Sequence, residues 1–253
     1  MIKATQVHKT YTSGFFWWKK TVPVLKGFNF EARPGQVTGV LGPNGAGKTT
    51  FFRILCGFEK LNSGSIEVDG IDPTVNPGLL RGKIAFLPEE PGVPPEMPGY
   101  HHLWVFGAMM GLNTTQIRHN IDLADQTLHL KSFWDRPFST YSRGQKSRIA
   151  LARMRLIPEA SIFIFDEPSN GLDFEAVSRL HLFIRQLAKE GKTILVASHI
   201  LSDLRHLCDT MIGIDDGQQA QPQKLQGWLL AHEQSQAQIQ AREAVREHLR
   251  DVL

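Results

Sequence analysis

The stretch Gly42-Pro43-Asn44-Gly45-Ala46-Gly47-Lys48-Thr49-Thr50 constrains this chain more than any other. Ahead of it runs the apolar Val37-Thr38-Gly39-Val40-Leu41, and Thr50-Phe51-Phe52-Arg53-Ile54-Leu55 behind it is helix-like. A strand that turns through glycines into a helix curls its backbone until successive N–H groups point inward, and the helix N-terminus adds positive potential there. In that setting G-x-x-x-x-G-K-[ST] cradles phosphates. Lys48 can reach the β- and γ-phosphates, and the Thr49 hydroxyl can ligate Mg²⁺. The chain is therefore expected to bind a nucleoside triphosphate, but the loop alone does not name the reaction.

With 253 residues, 42% of them hydrophobic, there is material for one large α/β domain or a domain with an inserted lobe. No run approaches the ~18 uncharged apolar residues that span a bilayer, so a role at a membrane requires a partner. Met1 to Gln6 opens directly into strand-like sequence, without the apolar region of a signal peptide. Cys56 and Cys208 each stand alone in an apolar helical setting, which suits buried free thiols in a reducing cytosol better than a disulfide or metal site. A net charge of +3 is too small to argue for nucleic acid.

Residues 2–7 and about 22–33 read as strands, and Ser65 to Gly70 as another, together suggesting an antiparallel sheet beside the phosphate loop. Lys83 to Leu87 is a strand stopped by a loop carrying Pro88, Pro91, Pro94, Pro95 and Pro98. From Tyr100 to about Ile157 the pattern is helical, broken at Gly111-Leu112-Asn113 and at Arg136-Pro137. Ser161 to Phe165 and Thr193 to Ser198 are apolar at nearly every position rather than alternating, as in parallel strands buried on both faces. Glu175 to Glu190 between them reads as the crossover helix, and Met211 to Ile214 as a last core strand. The tail from about Leu225 is helical in composition, rich in Gln and Ala.

Asp166 and Glu167 follow an apolar strand at the end where α/β sheets place their ligands. Asp166 is suited to hold Mg²⁺ through its water shell, and Glu167 to polarise a water for in-line attack on the γ-phosphate. Further along, Tyr141-Ser142-Arg143-Gly144-Gln145 puts a hydroxyl and a glycine at the start of a helix, a second anion-binding terminus that one chain holding one nucleotide does not need. Ser169-Asn170-Gly171-Leu172-Asp173 comes just after the acids, and His199 ends the next strand.

These elements in this order resemble the ABC-type ATPases over residues 1 to about 217. Gly42 to Thr50 is similar to the Walker A loop, Ser142-Arg143-Gly144-Gln145 to the signature motif, Ile162 to Glu167 to Walker B, Leu172-Asp173 to the D-loop and His199 to the switch histidine. The resemblance implies an α/β P-loop core with an antiparallel β lobe, an inserted helical lobe at about 95–157, and a helical tail over 218–253. It implies that two subunits sandwich two ATP molecules head to tail, with Ser142 and Gly144 of one contacting the γ-phosphate held by Lys48 of the other. It also implies that His199 contacts the γ-phosphate and orients the attacking water, and that Tyr11 stacks on adenine, although a strand-end tyrosine with a structural role is nearly as good a reading.

Two departures stand out. Arg143 takes a position where the signature most often has glycine, and Glu89 in Leu87-Pro88-Glu89-Glu90 takes the place of a Mg²⁺-contacting glutamine, as in ABC-2-type exporters. Glu89 would be a metal ligand or a gate. Phe15-Phe16-Trp17-Trp18-Lys19-Lys20 fits none of these motifs; it is expected to be a hairpin whose rings pack on the antiparallel sheet or touch a membrane or partner. Ala241 to Leu249 is most simply a solvated amphipathic helix.

The expectation is an ATP-hydrolysing subunit of an export-type ABC transporter. It would work with a second ATPase subunit and a separate transmembrane permease at the cytoplasmic face of the inner membrane, as a peripheral protein without nucleic acid. A soluble ABC-type ATPase acting on ribosomes or DNA is the rival, though such relatives carry two domains in one chain or long coiled-coil inserts. A P-loop kinase would leave the signature unexplained.

Overall fold

The computed structural model describes residues 1–14, 18–80, 82–88, 95–228 and 230–231. In chain order the elements are β1 (Ile2–Ser13), β2 (Lys20–Ala32), β3 (Val37–Leu41), α1 (Lys48–Leu55), β4 (Ser63–Val68), β5 (Ile84–Leu87), α2 (Gly99–Met109), α3 (Thr114–Leu128), α4 (Arg143–Arg155), β6 (Ile162–Asp166), α5 (Phe174–Lys189), β7 (Thr193–Ser198), α6 (Leu201–Arg205), β8 (Thr210–Asp215) and β9 (Gln218–Gln219). They form an antiparallel sheet of order β2-β1-β4 and a second sheet of order β5-β6-β7-β3-β8-β9. The second sheet is parallel from β5 to β8, and β9 closes it with a short antiparallel hairpin.

The strands predicted to be buried on both faces are so. Phe163 and Phe165 of β6, with Ile194 and Val196 of β7, face a core shared with α3, α4 and α5. Ile162, Ile164, Leu195 and Ala197 face the other way, into a core built with α1 and the antiparallel sheet. Consecutive side chains of a strand point to opposite faces, so an unbroken apolar run supplies both cores at once. The phosphate-loop helix α1 thus lies between the two sheets, with Phe51 packed edge-on against Phe28 at 5.0 Å between ring centres.

The hairpin of β1 and β2 is longer than the sequence suggested. β1 runs on past Val7 to Ser13, which pairs with Lys20. Alternation is hidden there because Gln6 adopts a left-handed backbone (φ 50°) and the pairing shifts between Ala4 and Val7. A bulge of this kind adds a residue and breaks the period-two pattern while the ladder continues. The aromatic insertion falls in the sequence between the two strands. Trp18 in it is 85% exposed, so this ring is not packed on the sheet; Phe15, Phe16 and Trp17 lie outside the described residues.

The inserted helical segment breaks at Gly111 to Asn113 as expected, but its second break opens well before Arg136: α3 ends at Leu128, with His129 in a left-handed backbone (φ 46°), and α4 begins only at Arg143. Asn113 caps α3 reciprocally with Gln116, and Pro137 precedes a single turn that leads into α4. Beyond β9, residues 222–228 are helical, with Leu225 and Trp228 packed against the larger core. The tail from 232, including Ala241 to Leu249, lies outside the described residues. Both cysteines are free, and burial pushes each thiol up to about 12, so neither forms thiolate at neutral pH. No helix among the described residues is long and apolar enough to cross a membrane.

Candidate functional site

β3 is buried along its whole length between β7 and β8, and it delivers the glycine-rich loop to the carboxyl edge of the parallel sheet. Gly42 ends the strand so close to β8 that a Cβ would sit 2.3 Å from the Ile214 carbonyl oxygen. Gly47 caps α1 in a left-handed conformation (φ 111°), where a side chain would also press on Leu25 and Val24. The Ala46 carbonyl accepts from Gly217 N, pinning the loop to the turn between β8 and β9.

Lys48, the first residue of α1, is 5% exposed. Its ammonium donates to the carbonyls of Gly42 at 2.7 Å and Pro43 at 3.3 Å, and lies 3.1 Å from Glu167 Oε1. Val24, Asn44, Gly45, Gly47, Lys48, Thr49, Thr50 and Glu167 enclose a cavity of about 440 Å³. The cavity opens over the N-terminus of α1 and has a buried cation at its floor, which is the chemistry of a polyphosphate site.

Asp166 ends β6 with 3% exposure, paired in the ladder with Ala197. Glu167 follows in a left-handed backbone (φ 49°), unusual for this residue, with its N–H donated to the Ala197 carbonyl. That turn aims its carboxylate back over the loop. One oxygen meets Lys48, and the other accepts from His199 N at 3.3 Å and lies 2.8 Å from His199 Nδ1. The phosphate-loop lysine, the second acid and the strand-end histidine, 151 residues apart from Lys48 to His199, thus form one cluster.

The helix start that the sequence marked at Ser142 is also in place. Ser142 caps α4: its Oγ accepts from Gln145 N, and Gln145 Oε1 accepts from Ser142 N. Neither Ser142 nor Gly144 lines the cavity around Lys48. Gly144 instead packs against the next helix start, where a Cβ would lie 3.1 Å from that of Ala176. Asp173 caps that helix, α5, by accepting from Ala176 N at 2.8 Å. Arg143 lies across Gly171 of its own chain, where a Cβ would meet Nη1 at 2.2 Å.

Three further residues, two of them singled out from the sequence, complete the description. Tyr11 does not line the cavity; it pairs with Val22 on β2, and Lys9 Nζ sits 4.7 Å over its ring. Glu89 lies outside the described residues. Phe174, not singled out from the sequence, is 89% exposed at the first position of α5, directly after Asp173. A large apolar residue following a capping Asp, off the stripe that α5 buries, was the signal available.

Residues 25–170 match the family model described as ABC transporter. The chain is 35% identical over 201 residues to the ABC transporter ATP-binding protein NatA of Bacillus subtilis, covering 79% of this chain and 81% of NatA. It is 33% identical over 194 residues to the Nod factor export ATP-binding protein I of Paraburkholderia xenovorans, covering 77% of this chain but 64% of that longer protein. The dimeric, post-hydrolysis structure of the ATP-binding cassette MJ0796 bound to ADP and Pi superposes with a TM-score of 0.75, at 23% identity, over 87% of this chain and 97% of that one. Its fold is therefore that of an ABC cassette, and the chain belongs to the ATP-binding proteins of the ABC transporter family.

Proposed function

We propose that this protein binds ATP with Gly42 to Thr50 and hydrolyses it with Glu167 as general base and His199 as the residue that orients it. The observation that carries the reading is the Lys48–Glu167–His199 cluster at the mouth of the phosphate loop. Lys48 already lies among oxygen acceptors, so phosphate oxygens can replace the loop carbonyls and Glu167 around its ammonium. Freed of Lys48 but still held by His199, Glu167 can then take a proton from a water in line with the γ-phosphate. That water's oxygen bonds to the γ-phosphorus, and the bond to the bridging oxygen breaks with its electrons left on ADP.

The donors fit Mg²⁺ bound with the nucleotide rather than alone. Among the described residues no cluster of three His, Cys, Asp or Glu could hold a metal by itself. Thr49 and the buried Asp166 supply the one or two protein contacts Mg²⁺ takes when phosphates supply the rest. When bound it would neutralise charge between the β- and γ-phosphates. Glu89 is proposed as a further contact or gate beside it, and Tyr11 as a stacking partner for adenine.

Ser142 and Gln145 cap a helix whose start, Gly144 included, does not line the chain's own phosphate-loop cavity, which supports a second subunit's ATP as their ligand. Gly144 packs against the start of α5, which carries Asp173 and the exposed Phe174. The working unit is thus proposed to be a head-to-tail dimer joined to a separate transmembrane permease at the cytoplasmic face of the inner membrane. The likeness to a Nod factor export ATP-binding protein supports export as the direction. Residues 1–217 would form the ATPase domain, with 218–253 as a C-terminal extension.

Glu167→Gln separates binding from cleavage. It should keep ATP affinity within about threefold and lower turnover at least ~100-fold, with the protein accumulating as an ATP-bound dimer. Unchanged turnover would refute the assignment of the base.

A further inference from the structure

Glu167 and His199 approach each other from two turns that follow neighbouring strands, β6 and β7, and those turns are tied together at three places. At the strand ends, Glu167 N–H donates to the Ala197 carbonyl. Between the turns, the Glu167 carboxylate accepts from His199 N and lies 2.8 Å from His199 Nδ1. Further out, Ser169 Oγ donates to Asp203 Oδ2. Ser169 is buried two residues after Glu167, and Asp203 lies in the first turn of α6, four residues after His199.

The outermost tie has a position that the inner two do not explain. The His199 side chain is 37% exposed, so packing does not enclose its ring. Where the ring sits follows from the backbone at 198–200 and from the short helix behind it. Ile200 gives that helix no capping side chain, and Leu201 and Leu204 anchor it on the larger core. Apolar contact is non-directional and does not fix how far the helix stands from the turn after β6. A hydroxyl held by a carboxylate is directional, and here it fixes that spacing. On its other side, Ser169 belongs to the turn that throws Glu167 into its left-handed backbone: Asn170 N–H returns to the Glu167 carbonyl, and Leu172 N–H to the Ser169 carbonyl.

We propose that Ser169 and Asp203 form a positioning clamp, which sets the distance and angle between His199 and Glu167. The proposal rests on the reading of Glu167 as the base and His199 as its orienter. Neither clamp residue lines the cavity around Lys48, so the pair acts through the two turns and not on the nucleotide. A reacting group misplaced by about 1 Å can lose roughly 100-fold in rate, so a smaller slip on losing the clamp is felt in turnover while ATP binding is spared.

Steady-state and single-turnover ATPase assays on the full-length protein test this. Ser169→Ala should lower kcat about tenfold and leave the KM for ATP within about twofold of wild type. Ser169→Thr keeps a hydroxyl and should recover kcat to within about threefold of wild type. Asp203→Ala should reproduce Ser169→Ala, and combining the two should cost less than about twofold more, because one contact is lost in each case. A His199→Ala background separates positioning from mere support of the fold. There the clamp has no imidazole to place, so adding Ser169→Ala should slow turnover by less than about twofold. A full tenfold loss in that background, unchanged kcat in Ser169→Ala, or a KM that rises in step with the loss of kcat would overturn the proposal. Wild-type kcat in His199→Ala alone would overturn the underlying reading of the histidine. A slowed His199→Ala beside an unaffected Ser169→Ala would overturn the clamp and leave that reading standing.

Discussion

Lys48 carries two loads, and they can be separated. Without nucleotide its buried ammonium satisfies two loop carbonyls and balances Glu167. With nucleotide it would turn to the phosphates. A hydrogen bond to a charged group contributes roughly 1.5–3 kcal/mol, so Lys48→Ala should weaken ATP binding by about 10- to 100-fold in a titration with a fluorescent ATP analogue. The variant should also unfold more easily, by about 1–3 kcal/mol, because Glu167 loses its neighbouring cation. Wild-type affinity in the variant would remove Lys48 from the phosphate site. Glu167 shows why single residues were only partly legible. Its place after an apolar strand was visible, but the left-handed turn that aims it back at Lys48 was not. That conformation is imposed by the Ala197 carbonyl on a neighbouring strand.

At the level of elements, the helical insertion carries a titrating group unconnected with the chemistry. His102 on α2 is 7% exposed, and burial, with the Arg153 charge added, pulls its imidazole down to about 4. The folded protein keeps His102 neutral, whereas the unfolded chain protonates it near its ordinary value. Stability present at pH 7 is therefore lost as pH falls from about 6.5 toward 4. The loss through His102 alone should reach on the order of 3 kcal/mol at the acid end. Urea unfolding of wild type and His102→Leu at pH 7 and pH 5 checks this: the substitution should flatten the decline, and identical declines would refute it. Breaks and caps in this lobe were legible because Asn113, Pro137 and Ser142 act locally. The extension of β1 was not, because only pairing with β2 carries a strand across its bulge.

Over the whole molecule, the two helix starts at Ser142 and Asp173 pack side by side through Gly144 and Ala176, and Phe174 stands beside them in solvent. An apolar ring so exposed next to two capped termini suits an interface. Phe174→Ser should leave the monomer's melting temperature within about 2 °C and weaken ATP-driven dimerisation of a Glu167→Gln background at least ~10-fold. Sedimentation that shows undiminished dimer would place Phe174 elsewhere. Composite sites make a second demand. Mixing Ser142→Arg with Lys48→Ala subunits yields dimers in which one site keeps both elements and the other loses both. Some ATPase activity should return on mixing, and a mixture as inactive as either parent would count against sites shared between subunits.

The sequence by itself determined the phosphate loop, the order of the motifs, the twice-buried strands and the helical insertion. Each of these is written in neighbouring residues: glycines where a turn is tight, unbroken apolar runs where both faces are covered, capping side chains where a helix begins. Tertiary structure alone decided which of these pieces meet. It brought His199 and Lys48 to opposite oxygens of Glu167, left Trp18 and Phe174 in solvent, and laid Arg143 over Gly171. Those outcomes depend on strand order and on the approach of segments far apart in the chain. Local propensity carries no record of either.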